Sequence, residues 1–317
     1  MHKQNKMKTT IAALFALALV ACNVNYEKTR SGLAYKIFHG KGDTIKPKAG
    51  QFAKYNIEYT LMDRDSVLQT TYGRIPVYNQ VDTGRRADYS YMEVLSLMNE
   101  GDSAEISISI DSLKSKAIIP DYNPLFVKGQ LIKCRLHLQK VFKDEKQMLD
   151  DYDKSMQAEK NSEVKSLEGY MAKNKLKGIK TKNGAYVVVE NPGDQSQKAD
   201  SGKLATVMYR GYLESNGKVF DTNMDSSKGH TDPIPVPVGN PRSNIIQGWH
   251  EGLPYFGKGG KGKILVPAML GYGPQPQGAD IPAFSNLIFD VEVIDVQDVP
   301  KAPEEGHDST GHAPEGD

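Results

Sequence analysis

The chain predicts an α+β protein in which two mostly antiparallel β domains are joined by a helical linker. Three observations carry this. Apolar and polar residues alternate in repeated short runs, turn pairs such as Asn216-Gly217 separate such runs, and one long charged stretch lacks proline and spaces its apolar residues three and four apart. With 317 residues, 38% hydrophobic and 25% charged, the composition suits two modest cores rather than a disordered chain. The formal charge is +1, and loss of Lys3, Lys6 and Lys8 with a leader takes it to about −2. Neither a nucleic-acid footprint nor a polybasic membrane patch follows from that balance, so no nucleic-acid partner is expected.

Residues 1–21 read as a signal peptide, basic over Met1–Lys8 and apolar over Ile11–Ala21, a run too short to span a bilayer. It ends in Leu19-Val20-Ala21-Cys22, which resembles the lipobox of bacterial lipoproteins. That resemblance implies acylation of Cys22 and a lipid-anchored protein of the bacterial cell envelope, on the periplasmic face or the cell surface. The other reading is an ordinary secretory leader. Cys134 is the second and last cysteine, so no internal disulfide framework is expected.

Residues 22–30 form a tether and 31–143 a first domain. Its strands show in Tyr55, Ile57 and Tyr59, in Ala104, Ile106, Ile108 and Ile110, and in Ile132, Cys134, Leu136 and Leu138, each set at period two. Cys134 is therefore read as core. Residues 144–176 make the helical linker, one long helix or two shorter ones, with Met148, Tyr152, Met156, Val164, Leu167 and Met171 at helical spacing. The second domain covers 177–298, and 299–317, rich in Pro, Gly and acid, reads as a disordered tail.

Within the second domain, Val207–Asp221 (VMYRGYLESNGKVFD) reads strand, turn, strand, and its second strand ends on an aromatic beside a carboxylate. Asn244–Gly252 (NIIQGWHEG) begins a short helix with Ile246, Trp249 and Leu253 on one face and Ser243 or Asn244 as its cap. No serine–histidine–acid set and no metal-ligand spacing occurs, so neither metal nor cofactor is expected.

Four segments in register, YRGYLESNGKVFD, VGNPRSNIIQGWHEGL, GKGGKGKILVPAMLGYG and IPAFSNLIFDVEV, resemble the FKBP-type peptidyl-prolyl isomerases over roughly 202–296. The resemblance implies a half-barrel antiparallel sheet wrapped on one short helix. It implies catalysis of proline isomerisation, with Xaa-Pro segments of unfolded or exported proteins as partners. An Xaa-Pro bond exchanges slowly because amide resonance sets a barrier of about 18–20 kcal/mol. An apolar, aromatic-lined hollow favours the twisted, less polar amide.

Carried over by the resemblance, Trp249 underlies the proline ring, while Tyr209, Phe220, Ile245, Ile246 and Phe289 wall it. Asp221 lies beside the twisting carbonyl, Tyr272 holds a neighbouring carbonyl, Ile281 overhangs, and Ile234 stands where the family often has an aromatic wall. Asn240–Asn244 is longer than the usual turn, and Gln277 and Asp280 are more polar than the overhanging loop usually is. The family's arginine that pairs with the pocket carboxylate has no match, since Ser226 falls there, and Arg242 or Lys228 is expected to substitute. The alternative is a non-catalytic proline-binding chaperone or interaction module.

The first domain reads as a worn repeat of the second. Ser31–Gly50 parallels Asn183–Gly202, and Cys134 parallels Phe289. Tyr59 is matched to Tyr209, Leu68-Gln69 to Phe220-Asp221, Asp88 to Ile246 and Tyr91 to Trp249. These exchanges predict an FKBP-like fold whose hollow is wet or filled, left to hold substrate or to pair two copies as a homodimer.

Overall fold

The computed structural model describes residues 25–41, 44–84 and 88–299. The leader with Cys22, and the tail from residue 300, lie outside the described residues. The chain divides into two compact units, Met1–Tyr152 and Asp153–Asp317.

The first unit contains β1 (Glu27–Lys28), β2 (Ala34–Phe38), β3 (Phe52–Leu61), β4 (Ser66–Thr70), β5 (Val77–Gln80), α1 (Tyr91–Leu95), β6 (Ser103–Ser109), α2 (Ile110–Ser115) and β7 (Leu131–Phe142). Its seven strands pair antiparallel in the order β1-β2-β6-β7-β3-β4, with β5 also on β3. Period two is kept in β7, where Ile132, Cys134, Leu136 and Leu138 are buried. The helix α3 (Glu145–Lys173) is continuous over 29 residues. Its opening turns belong to the first unit, where Asp151 accepts from Lys54 Nζ and the Tyr78 hydroxyl, each at 2.7 Å.

The second unit takes the rest of α3, then β8 (Ile179–Lys180), β9 (Tyr186–Asn191), β10 (Asp194–Lys198), β11 (Lys203–Leu213), β12 (Val219–Thr222), β13 (Ile234–Pro237), α4 (Gln247–Gly252), β14 (Gly257–Lys258), β15 (Lys261–Val266) and β16 (Leu287–Asp298). The large sheet runs β12-β11-β16-β15-β9-β8 with β13 on β11, and β10 pairs separately with β14. Read from its other edge, this is the strand order of the first unit. Gly217, at φ 71°, takes the left-handed turn position that the Asn216-Gly217 pair predicts.

One face of the large sheet buries Val207, Ile264, Val266, Val291 and Val293 against Trp249 and Leu253. On the other, Leu265, Ile288, Tyr186 and Val188 meet Leu167 and Met171 of α3, so α3 roofs the sheet opposite the short helix. Asn286, 9% exposed, stitches this side: its Oδ1 accepts from Ala268 N–H at 3.0 Å and its Nδ2 donates to the Glu163 carbonyl at 3.1 Å.

Strand register corrects one expected match between the units. Gly211 lies opposite Asp221 and Phe289, and Tyr59 lies opposite Gln69 and Cys134, with a bulge following each. Tyr59 therefore stands where Gly211 stands, and Ile57 is the counterpart of Tyr209. Glu93, bonded to Thr29 and Ser31 as Glu251 is to Thr181 and Asn183, keeps Tyr91 level with Trp249. The aromatic floor is thereby rebuilt around tyrosines. Tyr59 is half-buried against the first core, the Tyr91 and Tyr55 hydroxyls share a hydrogen bond of 2.8 Å, and Asn79 donates to Tyr55 at 3.2 Å.

An aromatic hollow as the candidate functional site

The site begins with a missing side chain. A Cβ at Gly211 would lie 2.6 Å from the Phe220 ring and 2.9 Å from the Phe289 ring. Glycine there lets two aromatics lie over β11, and the rings then build outward edge to face. Phe220 meets Phe289 at 5.7 Å and 81°, Phe289 meets Trp249 at 5.2 Å and 89°, and Trp249 meets Tyr209 at 5.3 Å and 79°. Edge-to-face rings cannot collapse flat onto one another without losing those contacts, so a hollow of about 150 Å³ remains above them. An apolar cavity of about 150 Å³ takes up benzene, and a five-membered pyrrolidine is smaller.

The hollow is lined by Tyr209, Phe220, Asp221, Ile234, Asn244, Ile245, Ile246, Trp249, Tyr272 and Phe289. All the sequence-derived site residues of this unit converge there except Ile281. That residue lies in the loop after Tyr272, is 6% exposed, and packs into the same apolar cluster below the rim. Backbone bonds between Gln277 and Ile281, at 2.9 and 3.2 Å, close its loop, and Asp280 ties the loop to Lys218 at 2.8 Å. Trp249 is held by packing: its buried Nε1 has no hydrogen-bond partner among the described residues. The helix beneath is capped by neither Ser243 nor Asn244. Ile246 is the N-cap residue and no side chain bonds there.

Asp221 is fixed at both oxygens. Oδ2 accepts from the Tyr209 hydroxyl, and Oδ1 accepts from His230 Nε2 and from Thr222 N–H, both at 2.9 Å. Partial burial pushes its carboxyl up, but the bonds from Tyr209 and His230 outweigh this and hold it below the ordinary range. Burial, and then the bond to Asp221, push the Tyr209 phenol well up, so it remains a donor at neutral pH. Burial and the nearby Asp221 charge likewise raise Tyr272, whose side chain is otherwise at the exposed rim.

The basic group beside Asp221 is thus His230, not Arg242 or Lys228 as expected. Its loop is placed by Asn223, fully buried, which accepts from Tyr209 N–H at 2.6 Å and donates to the Val207 and Asp232 carbonyls at 3.2 and 3.0 Å. Sequence reasoning missed His230, Asn223 and Gly211. The signals were a histidine nine residues past the carboxylate, a small amide directly after β12, and a glycine inside β11.

A wider cleft of about 510 Å³ runs beside α3, lined by Lys160, Lys180, Lys182, Gln157 and Asn161 among others. It has no aromatic floor. Among the described residues no group of three or more His, Cys, Asp or Glu is placed to hold a metal ion, and no helix is long and apolar enough to cross a membrane.

Residues 195–294 match the family model described as FKBP-type peptidyl-prolyl cis-trans isomerase. An FK506-binding protein of Neisseria meningitidis serogroup A is 34% identical over 113 residues, which cover 36% of this chain and 97% of that protein. The FKBP-type peptidyl-prolyl cis-trans isomerase FkpA of Buchnera aphidicola is 38% identical over 145 residues, 44% of this chain and 56% of the relative. A probable FKBP-type isomerase of Haemophilus influenzae is 41% identical over 125 residues, 38% of this chain and 47% of the relative. The match thus spans about half the length of these last two.

The wall formed by residues 239–246 depends on a second histidine. His250 Nδ1 accepts from Gly239 N–H at 3.1 Å, so the proton sits on Nε2, which faces Ser243 Oγ at 3.1 Å. Burial lowers its pKa, and the Ile245 carbonyl opposes that only in part. An unfolded imidazole takes its proton near about pH 6.5, so stability is complete above that and falls as the pH drops through the lower folded value. Urea midpoints followed by Trp249 fluorescence at pH 8 and pH 5 are expected to separate more for the wild type than for His250→Gln. Equal separations would contradict the role of the neutral imidazole.

Proposed function

This chain belongs to the FKBP-type peptidyl-prolyl cis-trans isomerase family, and on that footing we propose that its second unit accelerates cis–trans exchange of Xaa-Pro bonds in exported proteins. The observation that carries the reading is one open hollow with four aromatic rings at its floor and sides and a single pinned carboxylate at its rim. A proline ring seated on Trp249 leaves its amide among Tyr209, Phe220 and Phe289, away from water. The planar amide is the more polar form, and withdrawal of solvent raises its energy relative to the twisted form. Asp221, held from two sides, meets the carbonyl group without moving, so no reorganisation is spent as the bond turns. The Tyr272 hydroxyl donates to a neighbouring carbonyl and keeps the peptide in register. No bond to a heavy atom is made or broken, and no cofactor is called for.

The first unit is proposed to lack this activity, because Tyr59 stands at the register of Gly211, Tyr91 at that of Trp249, and Gln69 at that of Asp221. That leaves it to hold clients or to pair two copies, and it keeps open a second reading in which proline turns are bound without turnover. Isomerisation of a short Xaa-Pro peptide separates the two. The wild type is expected to exceed the uncatalysed rate, which relaxes over about 10–100 s. Asp221→Ala, which releases the Tyr209 hydroxyl, and Tyr272→Phe, which removes the donor to the neighbouring carbonyl, are each expected to lower kcat/KM by roughly two- to tenfold, the range of one hydrogen bond. A wild type no faster than the peptide alone would leave only the holding role.

We place the protein at a membrane surface of the bacterial envelope through acyl chains on Cys22. The support is the Leu-Val-Ala-Cys end of the leader, and each buried methylene of an acyl chain contributes about 0.8 kcal/mol. Labelling with radioactive palmitate in the producing cell is expected for the wild type and lost in Cys22→Ser; an unlabelled wild type would point to an ordinary secreted form.

A further inference from the structure

His230 is held toward the pocket by a built loop. Asp225 caps the turn Ser226–Lys228 through Ser227 N–H at 3.0 Å, and Gly229, at φ 83°, takes the left-handed position that turns the chain. Asn223 then fixes Asp232, two residues beyond His230, to β11 from inside the core. Between these anchors the imidazole meets Asp221 at 2.9 Å and stands 6.4 Å, ring to ring, from Tyr209. A carboxylate only accepts, so Nε2 carries a hydrogen whatever the charge of the ring.

The other charged groups nearby are paired with one another or exposed to solvent. From β11, Arg210 pairs with Asp225 at 2.8 Å, and from the turn after it Lys218 pairs with Asp280 at 2.8 Å. On its own loop, Lys228 acts on Asp280, and Asp232 is exposed, its backbone carbonyl bonded to Asn223 and its carboxylate open to solvent. Tyr272 faces Asp221 across the rim as a neutral phenol. The charge at the mouth of the hollow is therefore set by Asp221 and His230 together.

Resting on the isomerase reading, we propose that His230 is the positioning residue for Asp221 and that its protonation state sets how strongly the pocket holds the substrate carbonyl. A cationic ring leaves the pair neutral, and the partly negative carbonyl oxygen of an Xaa-Pro bond enters without repulsion. A neutral ring keeps the hydrogen bond and so the position of Asp221, but leaves one net negative charge at the rim. Grip weakens while the turnover geometry stays. Histidine is the side-chain type that can change charge near neutral pH, so pH is the variable by which the proposal is tested.

The test is kcat and KM for an end-blocked, uncharged Xaa-Pro peptide, measured without a coupling protease from pH 5.5 to 8.5. The full chain is compared with His230→Gln and His230→Arg, with thermal melts to show that each variant is folded. KM of the wild type is expected to rise roughly three- to fivefold across the range, the scale of a half-exposed charge pair, with kcat changing less. His230→Gln should be flat at the weak limit and His230→Arg flat at the tight limit. Wild-type and His230→Gln profiles that run parallel would overturn the proposal while leaving the isomerase reading intact. A folded wild type inactive at every pH would instead remove that reading, and this one with it.

Discussion

The absence of a side chain at Gly211 decides what the second unit can be. Two phenyl rings approach β11 more closely there than any Cβ would allow, and the edge-to-face sequence from Phe220 to Tyr209 starts from that approach. Each ring in the sequence blocks its neighbour from lying flat, so the space above Trp249 stays open although Trp249, Tyr209 and Phe289 are themselves buried. The first unit shows the converse with the same strand order. A tyrosine takes the register of Gly211, a cysteine that of Phe289, and the volume lost from one strand is returned by the next. Burial alone would have been satisfied by either arrangement, but only one of them leaves a hollow.

Around that hollow the polar groups are few and each is constrained. Asp221 is bonded on both oxygens, and His230, which supplies one of the bonds, is itself placed by a buried asparagine. His250 fixes the opposite wall from beneath. The two histidines act differently: one meets a carboxylate with a donor that survives deprotonation, and the other accepts from a backbone amide and so requires a lone pair. A mouth whose charge is tunable sits beside a wall that wants its histidine neutral.

Much of this was legible in the residues. Alternation located β3, β6, β7 and β11, because apolar residues take alternate positions along each, and four motifs in register named the pocket lining from Tyr209 to Phe289. Three kinds of feature were not legible. The register between repeats is set by hydrogen-bond ladders and bulges, and aligning one tyrosine with another put Tyr59 two residues from its place. The partner of Asp221 comes from a loop whose path depends on buried Asn223, whereas the search for a substitute for the missing arginine named Arg242 and Lys228 instead. The helix cap was read from residue type, whereas Asn244 lies at the rim of the hollow and Ile246 opens the helix.

The chain contains a single tryptophan, and it lies at the base of the hollow, 3% exposed. Its emission therefore reports on that one place. Titration of the full chain with an end-blocked Xaa-Pro peptide, against the same peptide with alanine for proline, is the most direct measurement of whether the space accepts a proline ring. A saturable change in Trp249 fluorescence with the prolyl peptide alone is the predicted result. No change with either peptide, or the same change with both, would contradict it.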